Sequence, residues 1–193
     1  MEKLNFKIRK MEEENSSNYE ISKMFGSPVF PTDFFEKNKL DEDFFLIQIN
    51  LAEIKDLQDV LPKEGYLYFF LNILEYPYIP KVFYTNEEIT TVYDDINEVF
   101  EEMGDYHGYE LVFNGNSEEG HFILGDIDQD LDLDLDCEIN TEGYVTLLQI
   151  DSLNLPNGIC QLGEPDGWYI FLIKEEDLKN LNFKNVKFIS FGS

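Results

Sequence analysis

Between Asp126 and Asp136 every second residue is an aspartate: Asp126, Asp128, Asp130, Asp132, Asp134 and Asp136. In an extended strand this alternation puts the six carboxylates on one face and Ile127, Leu131, Leu133 and Leu135 on the other. Same-face neighbours then stand about 6.7 Å apart, from a rise of roughly 3.3–3.4 Å per residue. In water each such pair repels by about 0.6 kcal/mol before salt screening, which a solvated face tolerates and a buried one does not. Three readings stay open for this ladder. It is the solvent side of a half-buried strand that deters edge pairing, a docking strip for Lys or Arg of a partner protein, or a Ca²⁺ site. A calcium loop wants glycine at its sixth position and glutamate at its twelfth. Counted from Asp126, these are Leu131 and Cys137, so a dedicated site is not indicated.

The side chains suited to proton transfer near neutral pH are His107 and His121. His107 reads as an exposed loop residue between Gly104 and Gly108, and His121 as a strand-edge residue after Gly120. Neither His-x-x-x-His nor Cys-x-x-Cys spacing occurs, so no metal and no cofactor are expected. Cys137 and Cys160 read as reduced, buried thiols. A phosphate loop, a Gly-x-Gly-x-x-Gly fingerprint and a Gly-x-Ser-x-Gly elbow are all absent, and no catalytic residue is nominated. Tyr76-Pro77-Tyr78-Ile79-Pro80 reads as an exposed bend, with Tyr76 and Tyr78 offered as part of a contact surface.

The elements that position these residues come from pattern and spacing. Phe45–Asn50 matches Thr146–Asp151, with Gln48 and Gln149 at corresponding places about a hundred residues apart. Gly65–Leu71 matches Gly167–Ile173, and Lys23–Gly26 loosely matches Phe122–Gly125, at nearly the same separation. The expectation is an internal duplication with pseudo-repeats at roughly 20–75 and 120–180. Gln48 and Gln149 read first as buried-strand residues that bond neighbouring backbone, and a pocket between the halves lined by both is the alternative. Tyr66–Leu71 leaves neither face polar and reads as a central strand covered on both sides. Leu51, Ile54, Leu57 and Leu61 fall at three- and four-residue intervals before Pro62, which predicts a helix. Short helices are also expected over 96–103 and 174–179, with turns at Asn114-Gly115 and Asn157-Gly158. The fold class that follows is α+β, a sheet-rich single domain over 1–193 with a few short helices.

Ser22-Lys23-Met24-Phe25-Gly26-Ser27-Pro28-Val29-Phe30-Pro31, the Leu46–Asn50 strand, the Leu61–Phe70 stretch and Gly167–Ile173 stand in an order that resembles the YwqG-like family, a bacterial domain of unknown function. Two features depart from it. Phe25-Gly26 stands where the family usually has paired glycines, and the second Gly/Pro/Gln segment survives only as Gly125 and Gln129. The resemblance implies a duplicated α+β fold and supplies no activity or site residue.

Composition bounds the partners. Forty acidic side chains against fourteen basic ones give a formal charge of −26, which disfavours nucleic acid and anionic membranes and favours encounter with a cationic partner. Leu, Ile, Val and Phe make up about a third of the chain, far above the roughly 20% typical of disordered chains. The first ten residues carry no apolar run of the secretory kind, so a cytoplasmic location is expected. The functional expectation is a non-enzymatic acidic binding protein, of the immunity type that inhibits a cationic toxin or nuclease. A small-ligand protein or enzyme with a pocket between the halves is the alternative, and a divalent-cation module the third.

Overall fold

The run from Tyr66 to Leu71 has no polar face. In the computed structural model, which describes residues 1–74, 76–94, 96–97, 100, 107–113, 119–127, 140–156 and 167–192, it lies in a strand, β5 (Tyr66–Asn72), paired on both edges. Its neighbours are β4 (Phe44–Asn50) and β6 (Ile79–Thr85). Leu67, Phe69 and Leu71 enter one core, whereas Tyr66, Tyr68 and Phe70 enter another. A strand buried on both sides can be apolar throughout, and this one is.

The other described strands are β1 (Leu4–Lys10), β2 (Lys23–Met24), β3 (Val29–Phe30), β7 (Thr91–Val92), β8 (Tyr109–Phe113), β9 (Phe122–Gly125), β10 (Tyr144–Asp151), β11 (Gly167–Lys174) and β12 (Lys187–Gly192). Ten strands form one sheet in the order β12-β11-β10-β9-β1-β8-β2-β4-β5-β6, and every pairing in it is antiparallel. The sheet curls until its edge strands β6 and β12 touch, with the rings of Tyr78 and Phe188 6.2 Å apart. A 3-10 turn at Phe183–Asn185 packs on β6 at this seam and buries Phe183. The result is a nearly closed, barrel-like antiparallel sheet.

The α+β expectation is therefore corrected. Described α-helix amounts to α1 (Phe34–Asn38) and α2 (Glu175–Lys179), neither long enough to form a layer of its own. The helix expected from Leu51 to Leu61 is a 3-10 turn at Leu51–Glu53 followed by further turns. Ile54 and Leu57 donate to carbonyls three residues back, and the Gln58 amide oxygen accepts the Val60 and Leu61 N–H groups. Local side-chain bonds here replace the helical ladder, and Leu57 is left 53% exposed. Most of 96–103, and both Asn-Gly turns, lie outside the described residues. Among the described residues no helix is long and apolar enough to cross a membrane.

The expected duplication is not shown. Local geometry does match in places. A register shift between Phe45 and Ile47 puts Leu46 and Ile47 together into the inner core, and one between Thr146 and Leu148 does the same for Leu147 and Leu148. Phe25 and Leu124 both adopt positive φ, 57° and 55°, so each joins its predecessor, Met24 or Ile123, on the inner side. Around these matches the segments are built differently. β6 is the next strand after β5, but β12 follows β11 only after α2 and the Phe183–Asn185 turn.

The inner core is continuous across the curled sheet, and Phe69 of β5 meets Phe171 of β11 edge-on at 5.1 Å inside it. On the outer face of β4 and β5, β3 and α1 lay Val29, Phe30 and Phe34 over Phe45, Tyr68 and Phe70. A small cluster around Ile170 and Leu172 lies outside β11. Truncating Phe69 or Phe171 to alanine is expected to lower stability by about 3–5 kcal/mol in urea unfolding. The double variant should lose less than the sum, because the two rings share one contact.

Candidate functional site

β2 is two residues long, so much of β4 has no strand beside it on that edge. Side chains supply what the ladder lacks. Asn97 accepts the Phe45 N–H at 2.9 Å and donates to the Phe45 carbonyl at 2.8 Å. Gln48 accepts the Val29 N–H at 2.9 Å and donates to the carbonyls of Ile21 at 2.9 Å and Tyr19 at 3.1 Å. Gln48 thereby ties both the 19–21 loop and β3 to the outer face. Tyr68 donates its hydroxyl to the Val29 carbonyl at 2.7 Å from the same layer. Burial pushes the Tyr68 phenol far up, and burial with Glu20 nearby pushes Tyr66 up to about 12, so neither is a base near neutral pH.

Next to Gln48 in the register is Lys23, with a side chain 0% exposed. Its ammonium donates to Glu14 Oε1 at 2.8 Å and to the Ser27 carbonyl at 2.6 Å. Desolvation draws the Lys23 pKa down, and Glu14 and Asp94 work against it. Two hollows, of about 660 and 260 Å³, flank the 11–18 segment that carries Glu14. Arg9 and Glu110 pair across β1 and β8 at the larger one. His107 lines the smaller one and is exposed, as expected from its loop.

Gln149 and His121 form the second polar place. Gln149 donates to the Gly120 carbonyl at 3.2 Å. His121 stands immediately before β9, as expected of a residue that opens a strand. It is wholly buried, stacks on Phe6 at 5.7 Å, and accepts the Asp151 N–H at Nδ1 at 3.1 Å. That bond places the imidazole proton on Nε2. Desolvation draws its pKa below 6.5, opposed by the Asn154 carbonyl, Glu119 and Asp151. In the sheet, β9, β1, β8 and β2 separate the strands of Gln48 and Gln149. The two glutamines are not brought to one pocket; each is committed to backbone groups. The strand-edge reading of Gly120-His121 leaves its burial open. The signal that was present is the apolar run Phe122–Leu124 that follows.

The expected contact residues divide. Tyr76 is 79% exposed, and Leu74 and Ile79 stand out beside it around a hollow of about 440 Å³ that Glu42 also lines. Tyr78 is half-buried and belongs to the β6–β12 seam, 5.8 Å from Tyr76. Asp126 lies just past β9, where its carboxylate binds the Met1 ammonium at 2.8 Å. Asp128, Asp130, Asp132, Asp134, Asp136, Cys137 and Cys160 lie outside the described residues. Among the described residues no group of three or more His, Cys, Asp or Glu side chains is placed to hold a metal ion.

Compared with known proteins, residues 22–110 match the model of a family described as a domain of unknown function (DUF1963). That stretch holds β2 to β7 and the first two residues of β8, with Gln48, Lys23 and the Tyr76 patch. No curated protein matches the chain.

Two outcomes test these assignments. Gln48→Leu keeps the volume but strands the Val29 N–H and two carbonyls, an expected loss of about 2–3 kcal/mol in urea unfolding. Gln149→Leu should lose about 1 kcal/mol. Because the folded pKa of His121 is depressed, the unfolded chain takes up the proton first as pH falls. Stability should therefore decline from about pH 6.5 downward until the folded value is passed. His121→Asn, which keeps an acceptor for Asp151, should flatten that part of the urea-midpoint profile.

Proposed function

We propose that this chain is a YwqG-like protein that acts in the cytoplasm as a non-enzymatic binding protein for a cationic protein partner, an immunity-type inhibitor of a basic toxin or nuclease. The observation that carries the reading is how the polar groups are distributed. Gln48, Gln149, Asn97 and Ser152 are buried and bonded to backbone. Glu12, Glu13, Asp41, Glu42, Asp56, Asp59, Glu64, Glu87 and Glu88 stand exposed on a chain of formal charge −26. Interior polarity holds the fold together, and surface charge is left to meet a partner.

The Tyr76 patch supports a place for that contact. An exposed aromatic ring with Leu74 and Ile79 beside it, and Asp41 and Glu42 close in sequence to its rim, suits an Arg or Lys side chain. The ring face and the carboxylates attract the same cation. Tyrosine is among the residues that dominate such interfaces.

Calorimetry of the chain against basic proteins encoded beside it tests the reading. The expected result is binding that weakens at least tenfold between about 50 and 300 mM sodium chloride. Tyr76→Ala should cost a further tenfold or more, about 1.4 kcal/mol. Binding that ignores salt, or none across the set, would count against the proposal.

A further inference from the structure

The segment from Met11 to Ile21 crosses the outer face of β2 as a strap without strand or helix. It is fastened at several points: the Met11 N–H donates to the Gly108 carbonyl, Gln48 holds the Tyr19 and Ile21 carbonyls, and Asn50 holds that of Glu20. From its middle Glu14 turns inward. The Glu14 carboxylate accepts the Ser27 N–H at 3.1 and 3.0 Å on its two oxygens and the Lys23 ammonium at 2.8 Å. Two glycines make the room. A Cβ on Gly26, whose φ is +70°, would collide with the carboxylate, and one on Gly108 would lie 2.7 Å from its Cδ. Tyr19 places its ring 5.4 Å from the ammonium on another side.

A fully desolvated lysine, a backbone N–H and two side-chain-free surfaces converge here on one carboxylate. This is how proteins recognise an anion, with charge-assisted bonds and backbone brought close. As a stability device the arrangement is poor, because a buried ion pair returns little more than its desolvation costs. Between its anchors the strap is bordered by the hollows of about 260 and 660 Å³. Lys23, Gly26, Ser27 and Gly108 all fall within residues 22–110 matched by the family model, and Glu14 falls outside them.

We propose that Lys23, the Ser27 amide, Gly26 and Gly108 form a binding site for the carboxylate of a small organic acid, and that Glu14 fills this site in cis until the strap lifts. Tethered on its own chain, Glu14 competes at a high effective concentration. Free ligand therefore binds the native chain weakly, and removal of the Glu14 charge strengthens it.

The test uses the full chain, with sodium acetate as the probe and equal sodium chloride as the control, read by the Ser27 amide resonance and by Tm. Glu14→Ala should bind acetate saturably and at least tenfold more tightly than the native chain, with a Tm gain that chloride does not give. Glu14→Gln, which keeps the shape, should fall between the two. Lys23→Met in the Glu14→Ala background should abolish the response. Should Glu14→Ala be unfolded alone, the same titration followed by circular dichroism reads acetate-dependent refolding. The proposal is overturned if acetate and chloride act alike on Glu14→Ala. It is equally overturned if the Lys23→Met double variant still responds, or if the native Ser27 amide never shifts with acetate.

Discussion

The apolar filling of the curled sheet is the constraint on which the rest depends. Ten antiparallel strands enclose one continuous core only if side chains from opposite walls meet, as Phe69 and Phe171 do. A regular strand sends alternate residues outward, which halves what it contributes to the inside. β4 and β10 escape that limit through register shifts, and β2 and β9 through left-handed residues, each adding a consecutive pair to the core. Phe25 and Leu124 are not glycines, so their positive φ costs on the order of 1 kcal/mol each. Burial of a large side chain, worth about 1.5–3 kcal/mol, offsets it.

The same geometry assigns work to the buried polar residues. A two-residue β2 leaves backbone groups of β4 without a neighbouring strand, and unpaired groups at that depth are costly. Asn97 and Ser22 fill gaps of that kind at Phe45 and Asn50, and Gln48, from β4 itself, holds the Val29 N–H of β3 and the Tyr19 and Ile21 carbonyls in place. The polar interior is thus structural in its first role. Its exception is Lys23, whose charge no gap in the ladder requires.

Electrostatics sort by depth. Exposed carboxylates a few ångströms apart in water repel by about 1 kcal/mol or less, so a surface can hold many of them. The interior tolerates charge only in company, as Lys23 with Glu14 and Asp43 with Lys81 illustrate. Desolvation draws both the Lys23 ammonium and the His121 imidazolium toward their neutral forms. Lys23 and His121 are therefore groups whose titration is coupled to folding.

Amino-acid order alone showed that Tyr66–Leu71 is covered on both sides, that the Gln48 and Gln149 segments are strands, and that the net charge is strongly negative. These follow from period, apolar fraction and charge, all of which are local or additive. It misjudged Leu51–Leu61, where a helical spacing of leucines is overridden by Asn50 and Gln58 bonding to nearby backbone, and it left open the burial of His121, which depends on Phe6 far away in the chain. Closure of the sheet, the separation of Gln48 from Gln149, and the meeting of Glu14 with Lys23, Gly26 and Gly108 were decided in three dimensions. Closure and the separation of the glutamines follow from the register of strands distant in sequence, and the Glu14 cluster from bonds that seat a strand-free strap against Lys23 and Ser27 beside Gly108.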